Sequence, residues 1–336
     1  MYIPPFTVSA DAINLIAEIS GQIERYAIRL EQEDGLRLRK VNRIKTIHSS
    51  LAIEGNTLSE DQVCDIIDGK NVVAPIKEIQ EVKNAIATYE LYPTLDAFKE
   101  KDLLKAHSVM MQALVDNPGH YRRGGVGVFG EKGLVHLAPP AERVPMLMSD
   151  LFAWLKQSKD HLLIRSCVFH YEFEFIHPFI DGNGRMGRYW QTMLLSRWKG
   201  IFSWIPVETI VREHQQEYYS VIAKCDAAGE STQFVEFMLQ CLLEAIENYE
   251  ETEEDEVTVL HDKLHDKLHN KFPELTEKAI EVLEVIHAHR NFNAAEIGKQ
   301  VGLSERQVKT YITKLKQTGL IVRVGSNKTG YWKVNT

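Results

Sequence analysis

A chain of 336 residues has room for about two or three domains, and its 44% apolar and 26% charged residues are the balance of an ordinary globular protein. A net charge of −8 argues against a nucleic-acid coat, and no run approaches the roughly 18 apolar residues of a membrane span. Met1 to Ala10 lacks the basic leader and apolar block of a signal peptide, and Cys64, Cys167, Cys225 and Cys241 form no Cys-x-x-Cys pair, so free thiols in a cytoplasmic protein without membrane contact are expected.

Apolar residues at three- and four-residue intervals predict helices over Asp11–Leu30, Glu78–Leu91 and Pro145–Leu155. Ser59, with Gln62 three residues on, reads as a capping box opening a helix that stops near Gly69. Gly124–Leu137 breaks this pattern. Two β-prone runs flank Gly130-Glu-Lys-Gly133, which predicts a hairpin closed by Pro139-Pro140. His161–Ile176 reads as a buried helix delivering His177 to its end, and helical spacing resumes through Tyr189–Trp198.

The charge is unevenly spread. Glu277–Thr336 holds ten Lys/Arg against five Asp/Glu, a net +5, which leaves −13 for the rest. Asn248–Glu256 is an acidic block, followed by Leu260-His-Asp-Lys, Leu264-His-Asp-Lys and Leu268-His-Asn-Lys. His261, His265 and His269 recur every fourth residue on one helical stripe, and the plain reading is an exposed connector rather than a metal site. Beyond it, helices over Glu277–His289, Asn293–Val301 and Ser304–Thr318 precede Leu320–Val324 and Tyr331–Val334 around a basic tip at 325–330. That order predicts a winged helix-turn-helix resembling those of bacterial transcription regulators. Its third helix exposes Arg306, Lys309, Lys314 and Lys316, a surface suited to DNA or to protein.

Chemistry concentrates in His177-Pro-Phe-Ile-Asp181-Gly182-Asn183-Gly184-Arg185-Met186-Gly187-Arg188. The glycines permit a tight turn open to close approach, and N–H groups at the following helix start are unpaired within it and point at an anion. Arg185 and Arg188, three apart, can face one phosphate chain with planar forks. Asp181 suits Mg²⁺ held by one carboxylate plus substrate phosphates, and His177 suits proton removal from a hydroxyl near neutral pH. Base, metal ligand, anion cradle and paired arginines point to phosphoryl or nucleotidyl transfer.

The run resembles the Fic family signature, His-x-Phe-x-Asp/Glu-Gly-Asn-Gly-Arg-x-x-Arg, at all eight fixed positions. The resemblance implies a mainly α fold, a Fic-type helical core with a β-hairpin flap, and transfer of AMP from ATP to a protein Ser, Thr or Tyr hydroxyl. By that resemblance His177 is the base and Asp181 holds Mg²⁺. Gly182, Asn183, Gly184, Arg185, Met186, Gly187 and Arg188 bind nucleotide, and the flap residue His136 touches nucleotide or target. Ser50-Leu-Ala-Ile-Glu54-Gly55 is similar to the family's inhibitory pattern, in which the Glu pairs with the second arginine, Arg188 here. Asn117–Arg122 resembles a flap border, Glu217-Tyr-Tyr219 a helix closing the core, and relatives imply a homodimer. The expected organisation is an N-terminal inhibitory region over 1–100, a catalytic core over 101–247, a linker helix over 248–274 and the winged module over 275–336. Removal of AMP from a modified target, transfer of UMP, and a DNA-binding regulator with a Fic sensor core stand as the alternatives.

Overall fold

A computed structural model describes residues 2–30, 35–130, 133–248, 276–288, 292–324 and 331–334. The chain divides into two compact units, Met1–Glu250 and Glu251–Thr336. The expected linker beyond Asn248, with its leucine and histidine echo, and the basic tip at 325–330 lie outside the described residues.

The first unit is helical around one core. Helices α1 (Ala10–Leu30), α2 (Gly35–Ile53), α3 (Glu60–Ile67), α4 (Ile76–Glu90) and α5 (Glu100–Met110) lead to the hairpin β1 (Gly127–Gly130) and β2 (Gly133–Leu137). Helices α6 (Val144–Gln157), α7 (Leu162–Ile176), α8 (Asn183–Trp198), α9 (Val207–Glu213), α10 (Gln215–Ala228) and α11 (232–248) complete it. Ser59 makes the expected capping box with Gln62, and Gly69 takes a left-handed φ of 74° just past α3.

Helix α7 is apolar almost all round, which places it at the centre: Leu163, Ile164, Val168, Phe169, Phe173 and Ile176 are all buried. It packs along α8, whose Tyr189 and Trp190 are also buried and donate to the carbonyls of Thr88 and Ala97. Helix α2 packs on α9. Its apolar residues Ile44, Ile47 and Leu51 alternate with the buried polar residues Asn42, Thr46, Ser49 and Ser50, so no single apolar stripe marks it.

The hairpin is antiparallel, pairing Gly127 with Leu137 and Gly130 with Gly133, and an irregularity between Val128 and Phe129 shifts its register.

The second unit has α12 (Glu277–Ala288), α13 (Ala294–Val301), α14 (Glu305–Gln317) and an antiparallel pair, β3 (Ile321–Val324) with β4 (Tyr331–Val334). Capping boxes at Asn293 and Ser304 open α13 and α14. Val282, Ile286, Ile297, Val308, Ile312, Leu315 and Trp332 form its own core.

Candidate active site

Helix α2 ends where Gly55 takes a φ of 90°, and the N–H of Asn56 reaches back to the carbonyl of Leu51. Ser50, in the last turn of α2, and Glu54, the residue after its end, stand four residues apart on the same side. Arg188 of α8 meets both. Its Nε donates to Ser50 Oγ at 3.2 Å, and its Nη2 donates to the Ser50 carbonyl at 2.9 Å and to Glu54 Oε1 at 2.7 Å. Arg188 is 3% exposed and Glu54 is 30% exposed, so the pair sits at the mouth of a cleft. Burial works against the charge of Arg188, but the carboxylate of Glu54 outweighs it and the guanidinium stays firmly protonated.

His177 caps the end of α7 in the left-handed region, at φ 48°, one of two non-glycine residues with positive φ among those described. The buried side chain of Arg122 holds that strained turn. It donates from Nε to the His177 carbonyl at 2.7 Å and from Nη2 to those of Pro139 at 2.5 Å and Ile176 at 3.2 Å. Its Nη1 donates to Gly124 O at 2.9 Å. One side chain thus ties both roots of the hairpin to the histidine turn.

The loop after His177 is braced from within. Phe179 is fully buried and stacks on the His107 ring at 3.6 Å and 7°. The side chain of Asn183 accepts from Phe179 N–H and donates to Phe179 C=O, both at 2.9 Å. His107 Nδ1 accepts the N–H of Gly119 at 2.8 Å, which assigns the ring proton to Nε2 as donor to the Asp181 carbonyl at 3.1 Å. Burial pushes the His107 pKa down to about 4, so it holds the loop as a neutral imidazole.

Gly182 turns the chain into α8 at φ 85°, and a methyl there would lie 2.6 Å from the sulfur of Met111. Asp181 Oδ1 accepts from Gly182 N–H at 2.6 Å and from Arg185 Nη2 at 3.2 Å. The first backbone bond of α8 runs from Met186 N–H to the Gly182 carbonyl, which leaves the N–H groups of Asn183, Gly184 and Arg185 ahead of it. A methyl on Gly184 would collide with the carboxylate of Glu54, so the glycine keeps this helix start open to close approach.

The structure brings Ser50, Glu54, His177, Asp181, Gly182, Asn183, Gly184, Arg185 and Arg188 to one helix start. Met186 is fully buried in the core, and Gly187 backs onto His170 and Glu174. His136 pairs with Val128 along the hairpin backbone, and its side chain lies outside the described part of the structure. In the second unit Arg306, Lys309 and Lys316 are exposed on α14, whereas Lys314 is half-buried.

The cleft, a cavity of about 90 Å³, is lined by Glu54, His177, Gly184, Arg188, Tyr218 and Tyr219, with Glu174 and Asp226 beside them. Sequence reasoning missed several of the groups that hold it. Glu81 of α4 accepts from Asn56 at 2.8 Å and faces Arg185 at 3.5 Å. His107 and Glu208 likewise gain their places only from contacts between separate segments, and Glu174 meets His177 one turn along α7.

Comparison with known proteins bears on the fold and this run together. The Fic/DOC family pattern matches residues 94–195. The chain is 31% identical over 225 residues to the protein adenylyltransferase Fic of Culex quinquefasciatus, covering 63% of this chain and 43% of that one. It spans about half the length of the curated relatives it matches. The crystal structure of a Fic family protein from Desulfovibrio desulfuricans G20 superposes with a TM-score of 0.74 at 42% identity, covering 99% of this chain and 98% of that one. Fic-1 of C. elegans (residues 134–508) shares the fold at 21% identity, with a TM-score of 0.59 and 74% of each chain covered. With a near full-length relative at that identity and the motif assembled around one cleft, the chain belongs to the Fic/DOC family.

Proposed function

We propose that this chain is a self-inhibited protein adenylyltransferase, a nucleotidyltransferase that moves AMP from ATP to a Ser, Thr or Tyr hydroxyl of a target protein, itself included. One observation carries the reading: Glu54 holds Arg188 at 2.7 Å beside a helix start whose Gly184 lines the same cleft as His177. The matched relatives bear the name adenylyltransferase.

In this reading the α8 start and Arg185 take the phosphates, and Arg188 takes their β/γ end once Glu54 has left it. The target hydroxyl gives its proton to His177, and its oxygen bonds to the α-phosphorus. The bond from that phosphorus to the bridging oxygen breaks, and pyrophosphate leaves with the electron pair. The hairpin would hold the target segment by strand addition.

Asp181 fits Mg²⁺ by the chemistry around it. Its side chain is 47% exposed, and its bonds to Gly182 and Arg185 both fall on Oδ1, on one side of the carboxylate. No group of three or more metal-ligating side chains exists among the described residues, so a bound ion would complete its shell with phosphate and water, as Mg²⁺ does. When bound it would neutralise phosphate charge.

Labelled ATP separates these claims. Glu54→Gly should self-label more strongly than wild type, and Glu54→Gly with His177→Ala should not label; equal labelling with His177→Ala sinks the assigned base. Intact mass after incubation with ATP or UTP tells AMP transfer from UMP transfer. A second reading draws on Glu54 and His177 lining one cleft: Glu54 would hold a water that removes AMP from a modified target. Release of AMP that is lost in Glu54→Gly would favour it.

For the second unit we infer a winged helix-turn-helix, supported by its three helices and hairpin and by Arg306, Lys309 and Lys316 exposed on α14. DNA contact through that face predicts a gel shift of the full chain that weakens steeply with salt, and a salt-independent or absent shift removes it. The described cysteines are free and no described helix is long and apolar enough to cross a membrane, which supports a cytoplasmic setting.

A further inference from the structure

Glu174 stands on α7 one turn before His177, and the two side chains meet, with His177 Nδ1 3.8 Å from Glu174 Oε2. That ring nitrogen is closed off from solvent, while the imidazole as a whole is 19% exposed and lines the cleft. Nε2 is therefore the nitrogen a cleft-bound hydroxyl reaches. Contacts of this kind are often long in an unliganded site and tighten with substrate.

The carboxylate has a built seat. Glu174 is 11% exposed, and Gly187 of α8 makes room for it: a methyl there would lie 2.7 Å from Glu174 Oε1 and 3.0 Å from His170 Cδ2. Any side chain at 187 would press on this carboxylate and on the His170 ring.

His170 closes the other side, its Nε2 4.0 Å from Glu174 Oε1. It donates from Nδ1 to Gln191 Oε1 at 2.7 Å and accepts the hydroxyl of Tyr218 on Nε2 at 3.1 Å. Burial pushes its pKa down to about 3, so it brings no positive charge to compete for the carboxylate. The other charged or titratable groups of the cleft are Glu54 just past α2, Arg188 from α8, and Tyr218, Tyr219 and Asp226 from α10. Arg188 is already bound to Ser50 and Glu54.

We propose that Glu174 is a positioning residue for His177, accepting Nδ1–H so that the unprotonated Nε2 faces the cleft and stabilising the imidazolium once Nε2 has taken the hydroxyl proton. The logic is that of a base oriented by a buried carboxylate. The kinetic part rests on the adenylyl-transfer reading; the tautomer does not.

Histidine ¹⁵N spectra of the full-length Glu54→Gly protein test both parts. The neutral His177 signal should report a proton on Nδ1 and none on Nε2. Glu174→Ala should erase that preference and lower kcat for self-labelling by about 10–100-fold at an unchanged KM for ATP, and Glu174→Asp should restore part of each. Glu174→Gln, of the same shape, covers the case in which alanine fails to fold, because a neutral amide cannot stabilise the imidazolium and kcat should still fall. An Nε2–H tautomer in the parent, or an Nδ1–H tautomer kept in Glu174→Ala, overturns the assignment. If Glu54→Gly transfers no AMP, the adenylyl reading fails while the spectra still decide the pairing.

Discussion

Glu54 reaches Arg188 at 2.7 Å because Ser50 and Glu54 lie one helical turn apart, so a single guanidinium spans both. The spacing of the short sequence pattern is thus about one helical turn, carried one residue past the end of α2. The contact joins residues 134 apart in the chain, and it falls on the arginine that closes the signature run.

The three bonds predict a graded release. Ser50→Ala removes only the bond from Arg188 Nε at 3.2 Å, leaving the Ser50 carbonyl and Glu54 in place. One such bond is worth about 1 kcal/mol, so self-labelling should rise by less than roughly tenfold. Glu54→Gly removes the charged partner, worth about 1.5–3 kcal/mol, and should rise by about 10–100-fold. Initial rates with labelled ATP give the order directly; equal rates in the two variants would mean that Arg188 is not what limits turnover.

Arg122→Ala predicts a loss of both stability and rate. Four carbonyls lose their donor, those of Gly124, Pro139, Ile176 and His177. A cost of about 3 kcal/mol follows from charged hydrogen bonds lost at a buried site, which for a unit of this size is a fall in Tm of roughly 6–12 °C. Arg122→Lys should recover little, because one ammonium cannot reach the four acceptors the guanidinium spans. A Tm within about 2 °C of wild type for alanine would show that the clamp does not hold the turn.

The parts legible in sequence were those written locally. The helices of the core, the Ser59–Gln62 cap and the hairpin follow from spacing and turn residues close together in the chain. The site is legible where one segment contains it, as in the run from His177 to Arg188. Helix α2 was harder to see because its buried face mixes Ile44 and Ile47 with Asn42, Thr46 and Ser49, which blurs any apolar period. Glu81, His107 and Glu208 carry no local mark at all. A glutamate on a helix reads as solvated until the fold sets it 3.5 Å from Arg185, as it does Glu81. Arg122 was visible only as part of a flap border, since its role lies in carbonyls up to 55 residues away.

Glu208 predicts a distinct dependence of stability on pH. It is 2% exposed, and its Oε1 faces Tyr89 and Thr192 hydroxyls at 3.4 Å each. Burial raises its pKa to about 7 from the usual carboxylate range, against the opposing pull of its own backbone N–H and of Arg188. Between roughly pH 4.5 and 7 the native state therefore keeps a proton that the unfolded state has lost, and stability falls as pH rises through that window. His107 and His170 act in the opposite sense. Burial lowers them to about 4 and about 3, so the unfolded state binds their protons first and stability falls as pH drops below about 6.5. Glu172, which burial also raises to about 7, adds to the first trend, so Glu208→Gln removes only the part that Glu208 contributes and leaves the second. A tenfold difference in proton affinity between the folded and unfolded states is worth about 1.4 kcal/mol, so the variant should gain about 3 kcal/mol relative to wild type between pH 4.5 and pH 7. Urea unfolding of both proteins across that range measures the difference, and an advantage that does not grow with pH would show that Glu208 ionises as an ordinary carboxylate.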